Sequence, residues 1–137
     1  MTLMAQDRPL PTPPIYPDNA DFWAAANDGR LMVPKCGACG KTHWYPRPFC
    51  PHCRSDDVSW IEASGKGTIY SVSATRRVPV PYAIAYVTLD EGTTMLTNIV
   101  DTDLDQVRIG NKVQVVFKPA EDGQKIPMFK PVQGASA

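Results

Sequence analysis

Neither sign of charge is in excess in this sequence: 14 lysines and arginines balance 14 aspartates and glutamates, and the isoelectric point is near 6.7. A protein devoted to nucleic acid usually carries a marked basic excess, so the balance argues against that class. No apolar run approaches the ~20 residues a membrane helix needs. The N-terminus lacks the basic-then-apolar pattern of a secretory signal. Cysteine is sparse at four in 137 residues, and histidine sparser at two. These absences exclude a disulfide-dense secreted scaffold and predict a protein of the reducing cytoplasm.

The few cysteines are arranged informatively. They form two pairs, Cys36-Gly37-Ala38-Cys39 and Cys50-Pro51-His52-Cys53. A two-residue spacer lets both sulfurs and the backbone amides point at one centre. Two such turns face to face supply a tetrahedral set of thiolates to one Zn²⁺ at about 2.3 Å. Gly37 and Gly40 sit where the chain curls around the metal, and Pro46, Pro48 and Pro51 pre-set the second turn. The pattern reads as a zinc ribbon. A thioredoxin-like redox pair or two disulfides are the alternatives, disfavoured by two pairs so close together. Four cysteine ligands leave the metal no open position, so the site is structural. Iron in the same site would keep the geometry. His43 and His52 flank the turns but are not needed as ligands.

Along the chain, residues 1–17 form a proline-rich arm with Pro9, Pro11, Pro13, Pro14 and Pro17. Such a segment is extended and cannot pack alone. Residues 18–30 read as a helix capped by Asp18 and stopped by Gly29. Phe22, Trp23 and Ala26 share one face of it, which must dock because so short a helix is marginal alone. The target is either the rest of this chain or a partner. Residues 31–62 form the ribbon, with strands over Leu31–Lys35, Lys41–Tyr45 and Val58–Glu62. Residues 63–137 form a small β domain, entered through a break at Gly65-Lys66-Gly67. Its strands are expected over Thr68–Val78, Tyr82–Asp90, Thr93–Asp101, Lys112–Lys118 and Ile126–Pro131. Ala83, Ala85, Val87 and Leu89 alternate onto one face, as do Val113, Val115 and Phe117. A helical turn at Asp103–Val107 separates the third and fourth strands. Five strands so interrupted suggest a five-stranded OB-fold barrel; another small barrel or sandwich remains open.

For catalysis the sequence offers little. Acyl transfer needs an activated nucleophile with a base beside it. The cysteines are committed to the metal, Ser71 and Ser73 have no histidine near them in sequence, and the carboxylates cluster at turns. The lone chain is therefore not expected to catalyse. Trp44, Tyr45 and Phe49, between the cysteine pairs, exceed what is needed to cover a metal. With Phe22 and Trp23, Trp44 is a candidate partner-binding residue.

A family likeness runs through Phe22-Trp23, Gly29-Arg30-Leu31, Cys36-Gly37-Ala38-Cys39-Gly40, Pro46-Arg47 and Cys50-Pro51-His52-Cys53. It continues through Trp60, Ser64-Gly65-Lys66-Gly67-Thr68-Ile69-Tyr70-Ser71, Pro81-Tyr82-Ala83-Ile84-Ala85-Tyr86-Val87, Leu89-Asp90-Glu91-Gly92 and Ile109-Gly110 before Val113. In this combination the chain resembles the zinc-ribbon/OB-fold family called domain of unknown function 35, from about Asp18 to Pro131. The resemblance implies a mainly β protein: an N-terminal helix, a rubredoxin-like zinc ribbon and a five-stranded OB-fold barrel. It also implies a non-catalytic accessory subunit, two copies on a dimeric core, of a thiolase-like, hydratase-like or aldolase acyl-CoA enzyme. Such a subunit helps to form the acyl-CoA site. Arg76 and Arg77, ahead of the Val78–Pro81 loop, then become candidates for the phosphates of coenzyme A, since arginine pairs clamp phosphate. Plain solvation is the other reading of that pair. A zinc-ribbon/OB-fold module that binds nucleic acid is the alternative function. It would need stacking aromatics in a positive groove.

Overall fold

A computed structural model describes residues 4–5 and 9–132. Residues 1–3 and 6–8 of the expected arm, and 133–137 at the other end, lie outside the described residues. One helix, α1 (Ala20–Asn27), leads into a two-stranded ribbon of β1 (Met32–Cys36) and β2 (Val58–Glu62). A closed barrel follows, built from β3 (Lys66–Thr75), β4 (Tyr82–Leu89), β5 (Thr94–Ile99), β6 (Lys112–Pro119) and β7 (Lys125–Pro131).

Around the barrel the order is β3-β4-β5-β7-β6. All neighbours are antiparallel except β5 and β7, which meet in parallel at Ile99 and Phe129. This is the OB arrangement, and the expected turn between the third and fourth barrel strands is a 3₁₀ turn, Leu104–Gln106. Asp103 holds that turn by accepting from the Asp105 amide at 3.0 Å. Alternation explains the core. Ala83, Ala85, Val87 and Leu89 of β4 all point inward and are buried, and Leu104 and Val107 join the same cluster.

Three sequence expectations are corrected. Lys41–Tyr45 is not a strand. Only Lys35 and Thr42 bridge there, and the ladder along the whole of β1 is made with β2 on its other edge, Met32 opposite Glu62 through Cys36 opposite Val58. The metal turns and the donor-poor prolines 46 and 48 occupy the intervening chain. Asp18 does not cap the helix. Asn19 precedes it, and its side-chain oxygen accepts from the Tyr16 amide at 2.7 Å while its amide donates to the Tyr45 hydroxyl. Finally, Lys66 and Gly67 belong to β3 rather than to a break. A Cβ on Gly67 would stand 2.7 Å from the Thr88 carbonyl oxygen, so glycine lets β3 lie against β4.

The helix docks on its own chain. Phe22, 3% exposed, enters the same cluster as Leu31, Val33 and the barrel residues, so helix, ribbon and barrel share one core. Gln124 and Asn27 tie the helix end to the β6–β7 hairpin. The Gln124 amide donates to the Trp23 carbonyl at 3.0 Å, and the Asn27 oxygen accepts from the Lys125 amide at 2.9 Å. The arm crosses the barrel, with the Ala5 amide on the Thr102 carbonyl at 2.7 Å and the Leu10 carbonyl on the Glu121 amide at 3.0 Å. Because Phe22 joins three units, Phe22→Ala should cost about 3–5 kcal/mol in urea unfolding. A loss below 1 kcal/mol would mean that the helix does not dock this way.

Candidate metal centre and exposed surfaces

The two cysteine pairs sit on turns that repeat each other's backbone. In the first, the Cys36 amide bonds the Lys41 carbonyl at 3.0 Å and the Gly40 amide returns to the Cys36 carbonyl at 2.9 Å. In the second, the Cys50 amide bonds the Ser55 carbonyl at 2.7 Å and the Arg54 amide returns to Cys50 at 2.8 Å. Each turn closes on a left-handed residue, Gly40 at φ +76 and Arg54 at φ +69. Each also aims amides at sulfur: Cys39 N–H at Cys36 Sγ, 3.4 Å, and His52 N–H at Cys50 Sγ, 3.3 Å. The left-handed Arg54 escaped the sequence reading. Its only signal was its position, one residue past the pair, where the first turn has glycine.

The four sulfurs lie within 4.8 Å of one another. Cys36 to Cys53 is 3.6 Å and Cys39 to Cys50 is 3.7 Å. A tetrahedron of zinc–sulfur bonds has edges of about 3.8 Å, so the set fits one Zn²⁺. The electrostatics agree. The Cys39 amide holds the Cys36 thiol down at about 7 against the opposing pull of burial. Burial pushes Cys50 up, but the amides of Cys53 and His52 outweigh it. At Cys53 the Ser55 amide lowers the value, yet the neighbouring sulfurs, Cys36 foremost, carry it up to about 11. Four thiolates so crowded require a cation among them. The chain thus carries one structural zinc site, with four protein ligands and no position for substrate.

Neither histidine belongs to this set. His52 reaches the Thr42 carbonyl through Nε2 at 3.3 Å. His43 is buried, and neither ring nitrogen has a partner among the described residues. Burial, then the charges of His52 and Arg47, push its pKa below the usual histidine value, which keeps it neutral at pH 7.

The other candidate residues are dispersed. Phe22 is internal, which removes it as a surface for a partner. Its ring meets Trp23 at 4.9 Å and Trp44 at 4.8 Å, and Trp44 meets Tyr45 at 5.4 Å. This aromatic chain runs from helix to ribbon, with Trp23 and Trp44 half-buried and Tyr45 exposed at its outer end. Ile15 and Tyr16 of the arm and Phe49 of the ribbon are exposed as well, and Asn19 links the Tyr16 amide to the Tyr45 hydroxyl. Arg76 and Arg77 are exposed just beyond β3. Arg76 pairs with Asp105, and no carboxylate is within ion-pair distance of Arg77 among the described residues. On the barrel wall, Tyr70, Ile84, Tyr86 and Leu96 are also exposed. Tyr70 faces out by alternation after buried Ile69; the β3–β4 register slip between Ile69 and Ser71 is a bulge that resets the phase beyond it, so that Val72 and Ala74 pack against the core.

Comparison with known proteins agrees with this architecture. The family model described as the ChsH2 rubredoxin-like zinc ribbon domain matches residues 23–59. That described as the ChsH2 C-terminal OB-fold domain matches residues 60–118. A DUF35 domain-containing scaffold protein of Methanothermobacter thermautotrophicus is 37% identical over 69% of this chain and 77% of its own length. A probable enoyl-CoA hydratase alpha subunit of Thermomonospora curvata is 37% identical over 88% of this chain, which spans only 40% of that protein. Among solved structures, a chain of the Ltp2-ChsH2(DUF35) aldolase superposes with a TM-score of 0.79 at 37% identity, covering 88% of this chain and 98% of that one.

Two outcomes follow for the metal turns. Protein purified without added metal should hold one zinc per chain by elemental analysis, and Cys50→Ser should lose it along with ribbon order, since metal binding is folding energy here. Gly40→Ala should cost about 1–2 kcal/mol in thermal or urea unfolding of the zinc form, although open space surrounds that position. An unchanged midpoint would show that the first turn tolerates a side chain at positive φ.

Proposed function

The chain belongs to the DUF35 family of zinc-ribbon/OB-fold proteins, and from that premise we propose that it is a non-catalytic accessory subunit of an acyl-CoA enzyme. The observation that carries this reading is the division between metal and surface. The zinc site is closed to substrate, while Tyr45 and Phe49, which lie between the cysteine pairs in sequence, stand exposed. Tyr16, Tyr45 and Phe49 are of the kind that centres protein interfaces, and Asn19 locks the arm to the ribbon beneath them. The names of relatives, a hydratase alpha subunit and an aldolase that includes a DUF35 component, support the partner class.

The partner is a hydratase-, aldolase- or thiolase-like enzyme in a hetero-oligomer, with two copies of this chain on a dimeric core. Trp23 and Trp44 serve the interface from below by fixing the helix and Tyr45. Arg77 reaches a coenzyme A phosphate at the joint; Arg76, paired with Asp105, braces the loop that carries it. Metal-bound thiolates suit the cytoplasm. The nucleic-acid alternative is disfavoured because the net charge is zero and Arg76 and Lys118 are engaged by Asp105 and Asp101.

Co-expression with candidate enzymes and size exclusion tests the reading. A stable complex is expected, weakened at least tenfold by Tyr16→Ala with Phe49→Ala, two exposed rings, while zinc content and the unfolding midpoint stay unchanged. Arg77→Ala should preserve the complex and raise the KM of the complex for its acyl-CoA several-fold. A chain that ignores every such enzyme and binds single-stranded nucleic acid at physiological salt would reverse the assignment.

A further inference from the structure

Three neighbouring strands of the barrel wall turn an uncharged face outward. The chain is 20% charged, yet residues 68–75 of β3, 82–89 of β4 and 94–99 of β5 include no charged side chain. Alternation sends Ile84 and Tyr86 of β4 and Leu96 of β5 to the outside, where they are 42, 48 and 53% exposed. Tyr70 of β3 is 69% exposed. Large apolar side chains standing together in water make a patch of roughly a few hundred Å², which on a soluble protein marks an interaction site.

The relief of this face is ordered. The β3–β4 pairing sets Ser71 beside Tyr86 and Ser73 beside Ile84, and the β4–β5 pairing sets Leu96 on the far side of Tyr86. Small side chains therefore line one flank of the β3–β4 seam and large ones the other. The trough between them holds about 260 Å³. That is less than the ~300–1,000 Å³ of a small-molecule site, so it suits the side chains of another protein surface. Among the described residues no side chain caps it. The sequence past Val132, Gln133-Gly134-Ala135-Ser136-Ala137, brings no large apolar side chain that could.

Two properties select the occupant. A two-fold contact sets a face against itself, so a charge near the axis meets its like, and a ridge needs a hollow on the same face. This face has no charge, and it has both ridge and hollow. An axis along the β3–β4 seam lays Ser71 of one copy against Tyr86 of the other and Ser73 against Ile84, and the reverse. We propose that the outer wall of β3, β4 and β5 is a self-association surface through which two copies of this chain pair about that axis. A patch of this size puts the pair at the low end of interfaces, under about 1,200 Å², so pairing is reversible, with a dissociation constant on the order of 10⁻⁵ M. The proposal goes beyond the accessory-subunit reading, which uses the ribbon aromatics, and does not depend on it.

Sedimentation velocity of the full zinc-loaded chain, over concentrations well below to well above that constant, tests it. The mean mass should climb from 15.1 kDa towards twice that value. Tyr86→Lys and Ser71→Glu should each weaken pairing at least tenfold with zinc content and unfolding midpoint unchanged. Mixed one to one, the two variants should pair again, because the axis sets the altered position of one against the altered position of the other. Should Ser71→Glu disturb the bulge, Ser73→Glu mixed with Ile84→Lys repeats the test one row along. A wild-type chain that stays monomeric at every concentration, single variants that pair as tightly as wild type, or mixtures that stay monomeric would each overturn the proposal. So would a Tyr86→Lys chain that self-associates normally but loses affinity for an enzyme or for single-stranded nucleic acid, since the face would then belong to that partner.

Discussion

Mutual repulsion of four sulfurs within 4.8 Å is the constraint on which the N-terminal half of this protein depends. Their amide donors hold Cys36 near 7, but crowding lifts Cys53 to about 11. Only a cation lets all four ionise. The chain from Cys36 to Val58 has almost no hydrophobic core of its own, so the metal substitutes for one. The duplicated turns follow from the same need. Each must present two sulfurs and free amides to a point, and the left-handed residue after each pair is what sends the chain back out.

Once metal fixes the turns, β1 is positioned to do a second task. One face carries Cys36 toward the metal, and Val33 packs into the cluster shared with Phe22 and the barrel. Thr42 donates to the Glu91 carbonyl at 3.0 Å, and the Ser64 amide donates to the Glu91 side chain at 2.9 Å, which fastens the ribbon to the β4–β5 turn. The ribbon is therefore not a bead on a flexible linker. Whatever docks on Tyr45 and Phe49 meets a surface whose orientation to the barrel is set by buried packing. Such preorganisation lowers the ordering cost of association.

The legible parts of the sequence were those governed by local chemistry. Ligand spacing identifies the metal turns because no other structure needs that pattern. Period-two alternation identifies β4, since Ala83, Ala85, Val87 and Leu89 must all reach the same interior. The misread parts were decided at long range. Asp18 was expected to cap the helix, but Asn19 holds that position, and its side-chain oxygen, the atom a cap uses, accepts from the Tyr16 amide while Tyr45, far along the chain, takes its NH₂. Lys41–Tyr45 has strand-like residues, but it meets β1 at a single bridge, with His43 N–H on the Pro34 carbonyl and Cys36 N–H on the Lys41 carbonyl, while the full ladder on the other edge of β1 goes to β2, whose place there no local pattern encodes. Phe22 and Trp23 looked alike as candidates, and only the fold separates one buried ring from one half-buried.

Placement of these features fits the proposed accessory role. A closed metal supplies rigidity without chemistry. A barrel supplies a rigid mouth, and a proline-rich arm, unable to form helix or strand of its own, is free to lie across it. Proline limits what the arm loses on docking, because its backbone is already restricted before it binds. The arm is anchored where the Ala5 amide meets Thr102 and the Leu10 carbonyl meets Glu121, and Asn19 bonds both the Tyr16 amide and the Tyr45 hydroxyl. An enzyme that docks on Tyr45 therefore meets arm and ribbon as one surface, because a single side chain holds the two together.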